Sequence, residues 1–358
     1  MNSTSPTQTR YRSPRGLGYV GRIALLLMVV SLTASLAVAQ DATVTYVEGF
    51  PELQRSGGQS LDLTFGDFVG VGDSVVTGPS DVVDLAAGDG AELSIAPNTV
   101  FEYNQRSTAT GNEPVLTVAL GAIAYRYNRV AGNEPRIGTN SVVAGVRGTE
   151  LEVFAGSDGS SLFVVREGLV AVESAGEAVE LAANQGVQVA PGEPPGEPFE
   201  ARFGEIDFST WNEGREVEIR ENPVMALARV GRQLENFAEE IRFLGPENER
   251  LNSIIEDARE AIRNEEDEEA ADELRAAYAE DIRPLETRQT QVYNNLRFYA
   301  RSALSLRQYV MARMYVLVKT SEWDVLDGDV WRAYEALHQE ILDEFDDVFT
   351  PWLTELDI

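Results

Sequence analysis

The sequence contains no cysteine. Disulfides are therefore impossible, thiolate zinc sites are excluded, and nothing is available to carry a lipoprotein anchor. Histidine occurs once, as His338, so no two imidazoles can share a metal. Lysine also occurs once, as Lys319, and every other basic residue is arginine. Cations are scarce altogether: 29 Lys and Arg stand against 59 Asp and Glu, a formal charge of −30. Binding nucleic acid requires clustered cations to neutralise phosphates, so this balance excludes a nucleic-acid partner. The same surplus repels anionic membrane surfaces, except at the N-terminus. There is no G-x-S-x-G, no phosphate-cradling glycine loop and no H-E-x-x-H. Carboxylates abound, but nothing singles out two of them as an acid–base pair for glycoside hydrolysis. The expectation is a protein that is not an enzyme and needs no cofactor.

What is present divides by position. The 358 residues allow two or more domains, and 43% hydrophobic content is ordinary for a globular chain. Residues 1–39 hold Arg10, Arg12, Arg15 and Arg22, with no acid. The apolar run Ile23–Leu36 follows, then Ala37-Val38-Ala39 before Gln40. A basic start, a short apolar stretch and an A-x-A site read as a signal peptide for export to the periplasm. The alternative is an uncleaved inner-membrane anchor facing the periplasm. The run is short for that, since a bilayer span takes about 20 apolar residues.

Residues 40–190 read as strand after strand. Thr43–Glu48, Leu61–Thr64, Val82–Ala87 and Glu92–Ile95 show partial alternation, as do Val115–Ala119 and Ile123–Tyr127. Thr149–Phe154, Leu162–Arg166, Val170–Glu173 and Gly186–Ala190 continue it, with Gly, Asp, Asn and Pro turns between. Such spacing suits a sandwich, a barrel or a solenoid. Pro191–Pro198, PGEPPGEP, opens a linker over 191–206 that separates two halves, each expected to have its own core. Phe199, Phe203, Phe208 and Trp211 are expected to dock the linker's exit.

Residues 207–358 change to helical spacing. Asn222-Pro223 is a start signal, and Leu227, Val230, Leu234, Phe237, Ile241 and Leu244 recur at threes and fours up to Gly245-Pro246, a stop. Further stripes run from Leu251, from Val292 to Leu317, and from Val330 to Val348. Together they predict a four-helix bundle, with a homo-oligomeric coiled coil as the alternative.

One stretch stands out among the strands. In Val142–Val153, VVAGVRGTELEV, Gly145 and Gly148 flank the only charge of a bend, Arg147. These residues resemble the VRGT signature of FecR-like periplasmic domains. The resemblance extends through Gly66–Gly78, Gly88–Tyr103, Val118–Tyr125 and Val164–Val172, in the family's order. It implies a β-solenoid-like or jelly-roll-like unit, so the predicted class is α+β multidomain: an all-β FecR-like domain, then an α-helical bundle. It also implies a part in signalling from an outer-membrane transporter to a sigma factor. Two departures qualify that part. About 22 residues precede the apolar run, too few for the family's anti-sigma domain, and the helical region lies outside the pattern.

Each candidate site has a structural reading. Arg147 either binds an anion or braces the fold by pairing with Glu150 or Glu167; the recurrence of the whole block favours the brace. Thr149 caps a turn, having no base nearby in sequence. His338 sits at a core edge. Asp81, Asp84, Asp89, Asp158 and Glu265–Glu269 raise calcium, but no EF-hand spacing occurs and turn chemistry explains the Asp-Gly pairs. The functional expectation is a periplasmic adaptor that binds envelope proteins. Its rival is a carbohydrate or cell-wall module presenting Tyr125 and Tyr127; a third reading is a structural homo-oligomer. The leader itself generates a prediction: N-terminal sequencing of the protein from a periplasmic fraction should begin at Gln40. Recovery of residues 1–39 with the membranes would instead establish the anchor.

Overall fold

The structure is a computed structural model that describes residues 42–87, 90–109, 111–127, 136–321 and 328–358. The leader and Asp89 lie outside the described residues. Alternating apolar positions produce fifteen strands among these residues: β1 (Ala42–Glu48), β2 (Glu52–Gln54), β3 (Ser60–Asp62), β4 (Phe68–Val69), β5 (Ser74–Val76), β6 (Val82–Ala87), β7 (Ala91–Ile95) and β8 (Val100–Thr108). Then come β9 (Gly111–Tyr127), β10 (Arg136–Thr139), β11 (Val143–Ala155), β12 (Ser161–Ser174), β13 (Glu177–Leu181), β14 (Gln185–Val189) and β15 (Phe199–Glu200). All are hydrogen-bonded into one network whose main path runs β15-β14-β12-β11-β10-β9-β7-β6-β1-β4. The pairs are antiparallel except β9 with β10. Inward residues such as Val44, Leu85, Leu93, Ile123, Leu151 and Phe163 form its apolar core.

The two runs expected at 115–119 and 123–127 are one strand, β9, and Gly121 explains why. Up to Leu120 the strand pairs with β8; from Gly121 onward it runs between β7 and β11. Gly121 has φ +103°, and a Cβ there would lie 2.5 Å from Thr99 Cα. Thr99 Oγ1 closes the crossing, accepting from Ala122 N–H at 3.0 Å and donating to Ala122 O at 3.2 Å. Only glycine permits that conformation and that approach. The runs at 162–166 and 170–173 likewise fuse into β12, with Gly168 between them.

Seven helices are described: α1 (Phe208–Glu221), α2 (Pro223–Asn264), α3 (Glu268–Ala277), α4 (Arg283–Ser305), α5 (Ala312–Thr320), α6 (Gly328–Val348) and α7 (Thr350–Glu355). π-Helical turns at Tyr278–Ile282 and Leu306–Met311 join α3, α4 and α5 into one continuous run. The predicted stripes do meet: Leu227, Val230, Leu234, Leu296, Met314 and Phe345 share one core. The expected stop at Gly245-Pro246 is a correction, because α2 continues through both residues. A proline inside a helix removes one helical donor and crowds the preceding turn. Leu244 and Leu251 are buried on either side of it, so packing holds the helix through the defect. Gly245 leaves room for α7, since a Cβ there would lie 2.6 Å from Trp352 Cζ2.

The linker is tied down. Gly192 N–H donates to Gln233 at 2.9 Å, and Glu193 pairs with Arg229 at 3.2 Å and Arg232 at 2.8 Å. Beyond it, Phe208 and Trp211 pack on Phe154 of β11, with ring centroids 5.7 and 5.9 Å apart. A second seam joins α4 to β8. The ladder of β5 on β8 ends at Glu102, and loop bonds from Asp73 and Gly72 reach only Tyr103. Further along that edge, Asn295 takes the place of a strand. Its Oδ1 accepts from Ser107 N–H at 2.7 Å, and its Nδ2 donates to Ser107 O at 3.0 Å. Asn294 holds the Ser107 hydroxyl at 3.0 Å, and Ser305 donates to the buried carboxylate of Glu102. Asn295→Ala should strip both partners from the Ser107 peptide. Unpaired buried groups cost about 1–3 kcal/mol, so denaturant unfolding should show a lower midpoint at unchanged slope. Asn295→Asp, which accepts but cannot donate, should recover only part of the loss.

Candidate functional site

The glycines at the signature do not make a bend; they make a bulge inside β11. Arg147 lies opposite Leu169 on β12, and Glu150 lies opposite Glu167. Two residues, Gly148 and Thr149, therefore face one, Gly168, which is the two-against-one count of a β-bulge. Gly148 has φ +56° and Gly168 has φ +91°. A Cβ on Gly168 would lie 2.4 Å from Gly148 O and 2.8 Å from Arg147 O. Gly145 serves another purpose: it lies opposite Arg136 on β10, whose Nη1 would be 2.5 Å from a Cβ there.

The side chains depart from the expected brace. Arg147 is exposed, and among the described residues neither it nor Glu167 forms an ion pair. Glu150 pairs instead with Arg166 at 2.9 Å. The β11–β12 register is the reason: Glu150 and Leu151 lie opposite Glu167 and Val165, which leaves Arg166 as the extra residue beside Glu150. Thr149 is fully buried, and its hydroxyl has no hydrogen-bond partner among the described residues, so it caps no turn. The signature acts through backbone shape rather than through charge.

The other candidates resolve by geometry. Asp81 accepts from Gly78 N–H at 2.8 Å and Phe50 N–H at 3.0 Å. Asp158 accepts from Ser160 N–H at 2.9 Å and its hydroxyl at 2.8 Å; burial nevertheless raises its pKa. Both are turn-forming carboxylates. Asp84 is half-buried in β6, and Glu265–Glu269 is exposed around the Asp267 cap of α3. Among the described residues no cluster of three or more His, Asp or Glu could hold a metal. His338 lies at the edge of the helical core, its ring 4.8 Å from Tyr315 and 6.1 Å from Tyr334. Burial, then the Arg307 charge, lowers its pKa. Tyr125 is 0% exposed and Tyr127 6%, which corrects their expected role as a sugar platform.

The exposed aromatics lie elsewhere, and the sequence reading passed over them. Phe50 is 91% exposed, Phe65 75% and Phe68 58%. Leu63 N–H donates to Pro51 O at 2.9 Å, so Phe50 neighbours the turn that carries Phe65. Phe68 of β4 lies opposite Thr43 on β1. Strand β3 pairs only with β2, and β4 only with β1, so this corner ends the sheet among the described residues. The signal available was Phe65-Gly66-Asp67-Phe68, two aromatics astride a turn. A cleft of about 730 Å³ lies on another side, between the sheet and helices α2 and α4; Arg106, Ser141, Glu173, Gln233, Phe237 and Tyr299 are among its walls. Burial there pushes the Tyr299 hydroxyl up to about 12.

A family model described as FecR protein matches residues 73–171. That segment is FecR-like. It begins at the threshold of β5 and ends inside β12, so it contains the bulge and its Gly168 partner. It leaves β1–β4 and every described helix outside. No curated protein matches the chain. Among solved structures, a candidate anti-sigma factor from Parabacteroides distasonis ATCC 8503, at 1.65 Å resolution, matches at TM-score 0.32 and 18% identity. The match covers 36% of this chain and 60% of that one, so the chain spans less than two thirds of that protein. A second structure described in the same words, at 2.50 Å, matches at TM-score 0.32 and 15% identity, covering 45% of this chain and 73% of that one. Neither likeness is close enough to carry those proteins' roles over to this one. The FecR-like bulge itself generates a prediction. Gly168→Ala forces a side chain into a left-handed conformation, worth about 1–3 kcal/mol of strain, and into the Gly148 carbonyl. Thermal denaturation should show a clear loss of stability, whereas Arg147→Ala should melt like the parent protein.

Proposed function

We propose that this protein is a non-enzymatic adaptor of the cell envelope, exported to the periplasm and acting in envelope signalling. Its FecR-like sheet would bind one envelope protein and its helices a second. The observation that carries this reading is the corner at β3 and β4, where the sheet ends with three exposed phenylalanines. Folded proteins usually blunt or cover sheet ends, and contiguous exposed apolar surface marks interaction sites. This chain covers the β8 edge with Asn295 and leaves the β3–β4 corner exposed among the described residues. The FecR-like match over residues 73–171 supports the signalling context.

The cell-wall reading keeps one observation in its favour. The sheet–helix cleft sets Phe237 and Tyr299, 6.1 Å apart, beside Ser141 and Gln233, a mixture of stacking and hydrogen-bonding groups that suits a polyhydroxylated ligand. Site-specific photo-crosslinking in whole envelopes separates the two. A crosslinker replacing Phe65 should give discrete protein adducts, while one replacing exposed Arg263 on α2 should not. Absence of Phe65 adducts, with calorimetric binding of soluble cell-wall glycans, would assign the function to the cleft instead.

A further inference from the structure

The exposed corner carries a charge pattern as distinctive as its phenylalanines. Glu52 of β2 and Asp62 of β3 are directly opposite one another, both exposed. Like charges facing each other across a ladder destabilise it. Glu48 and Asp67 flank the same corner, and among the described residues none of these four carboxylates has an ion-pair partner. The nearby base, Arg55, is already engaged by Asp73 at 2.6 Å. Phe50, Phe65 and Phe68 stand among these acids. Beside them the outer edge of β3, three exposed residues long, has no neighbouring strand among the described residues.

Uncovered apolar rings, an unextended edge and a facing carboxylate pair without a cation call for an occupant that supplies all three complements. A second copy of this chain does not, because it would bring a formal charge of −30 and the same acidic rim to the contact. We infer that the β3–β4 corner binds an extended segment of another protein in which apolar side chains alternate with arginine or lysine. The segment lies along β3 as an added strand. Its apolar side chains pack on Phe65 and Phe68, and its cations reach the Glu52–Asp62 pair. Alternation is required because successive side chains of a strand point to opposite faces, one level with the Asp62 carboxylate and the next level with exposed Leu61. This inference rests on the adaptor reading and names the chemistry of its partner.

Fluorescence anisotropy with the full chain tests it, using a labelled peptide of alternating valine and arginine. The expected result is binding at least about tenfold tighter than to the valine–glutamate peptide, weakening with added salt. A peptide of the same composition in two blocks, or one N-methylated on its pairing side, should bind about tenfold more weakly as well, since neither can add a patterned strand. The double variant Phe65→Ser/Phe68→Ser and the single variant Asp62→Arg should each lose the binding. Neither unfolding midpoint should fall, because the altered side chains are exposed: that of Phe65→Ser/Phe68→Ser should hold, and that of Asp62→Arg should rise as the facing charges are relieved. Equal binding by the blocked peptide, or undiminished binding by the variants, would reduce the effect to general attraction and overturn the inference. A concentration-dependent dimer in ultracentrifugation, abolished by Phe65→Ser, would give the corner to a second copy. Crosslinks from position 65 without peptide binding would leave the adaptor standing and remove this partner chemistry; loss of both would remove the two together.

Discussion

The sheet depends on the crossing of β9 over Thr99. Over one half of its length β9 supports β8 and, in parallel, β10; over the other half it runs between β7 and β11. The change of partners happens at Gly121, where backbone meets backbone too closely for any side chain. Everything that contributes to the FecR-like region is hung from one or other half of this strand. The two hydrogen bonds between the Thr99 hydroxyl and the Ala122 backbone keep the crossing from slipping. Register elsewhere follows, because a one-residue slip would turn every inward side chain of β9 outward.

The helices are fastened to this sheet by different physics. Their own core is apolar, but the α4–β8 seam is made of amides, hydroxyls and the Glu102 carboxylate. Polar contacts between buried groups are directional, so they select one docking geometry where grease alone would tolerate many. The aromatic contact of Phe208 and Trp211 with Phe154 adds a second attachment on another face of β11 and β12. With the linker pinned at Gly192 and Glu193, the change from strand to helix in the chain is not a free hinge. The described chain from Ala42 onward is one compact unit.

This arrangement separates signature from surface. The VRGT block, the most recognisable text in the chain, is spent on a bulge whose glycines shape the backbone and whose arginine projects into solvent. The corner with the chemical character of an interface, exposed rings among unpaired carboxylates, belongs to β1–β4 and lies before the FecR-like match begins. Family resemblance thus identifies the scaffold, while the candidate interaction surface is a property of what flanks it.

Local pattern by itself determined a good deal. Period-two alternation located β1, β6, β7, β11, β12 and β14, and stripes at threes and fours located the faces of α2, α4 and α6, because side-chain direction repeats with the backbone's own geometry. Composition alone determined the acidity and the absence of cysteine chemistry. The rest was decided between segments distant in sequence. Only the approach of Thr99 makes Gly121 a crossing rather than a turn between two strands. Only packing on both sides carries α2 through Pro246, against the local preference to stop. Only the β11–β12 register assigns Glu150 to Arg166 instead of Arg147, and only packing in the sheet's core buries Tyr125 and Tyr127 while leaving Phe50, Phe65 and Phe68 outside. Hydrophobicity states what a residue would gain by burial. Which residues obtain it is settled by where the sheet ends, and no local window of sequence contains that end.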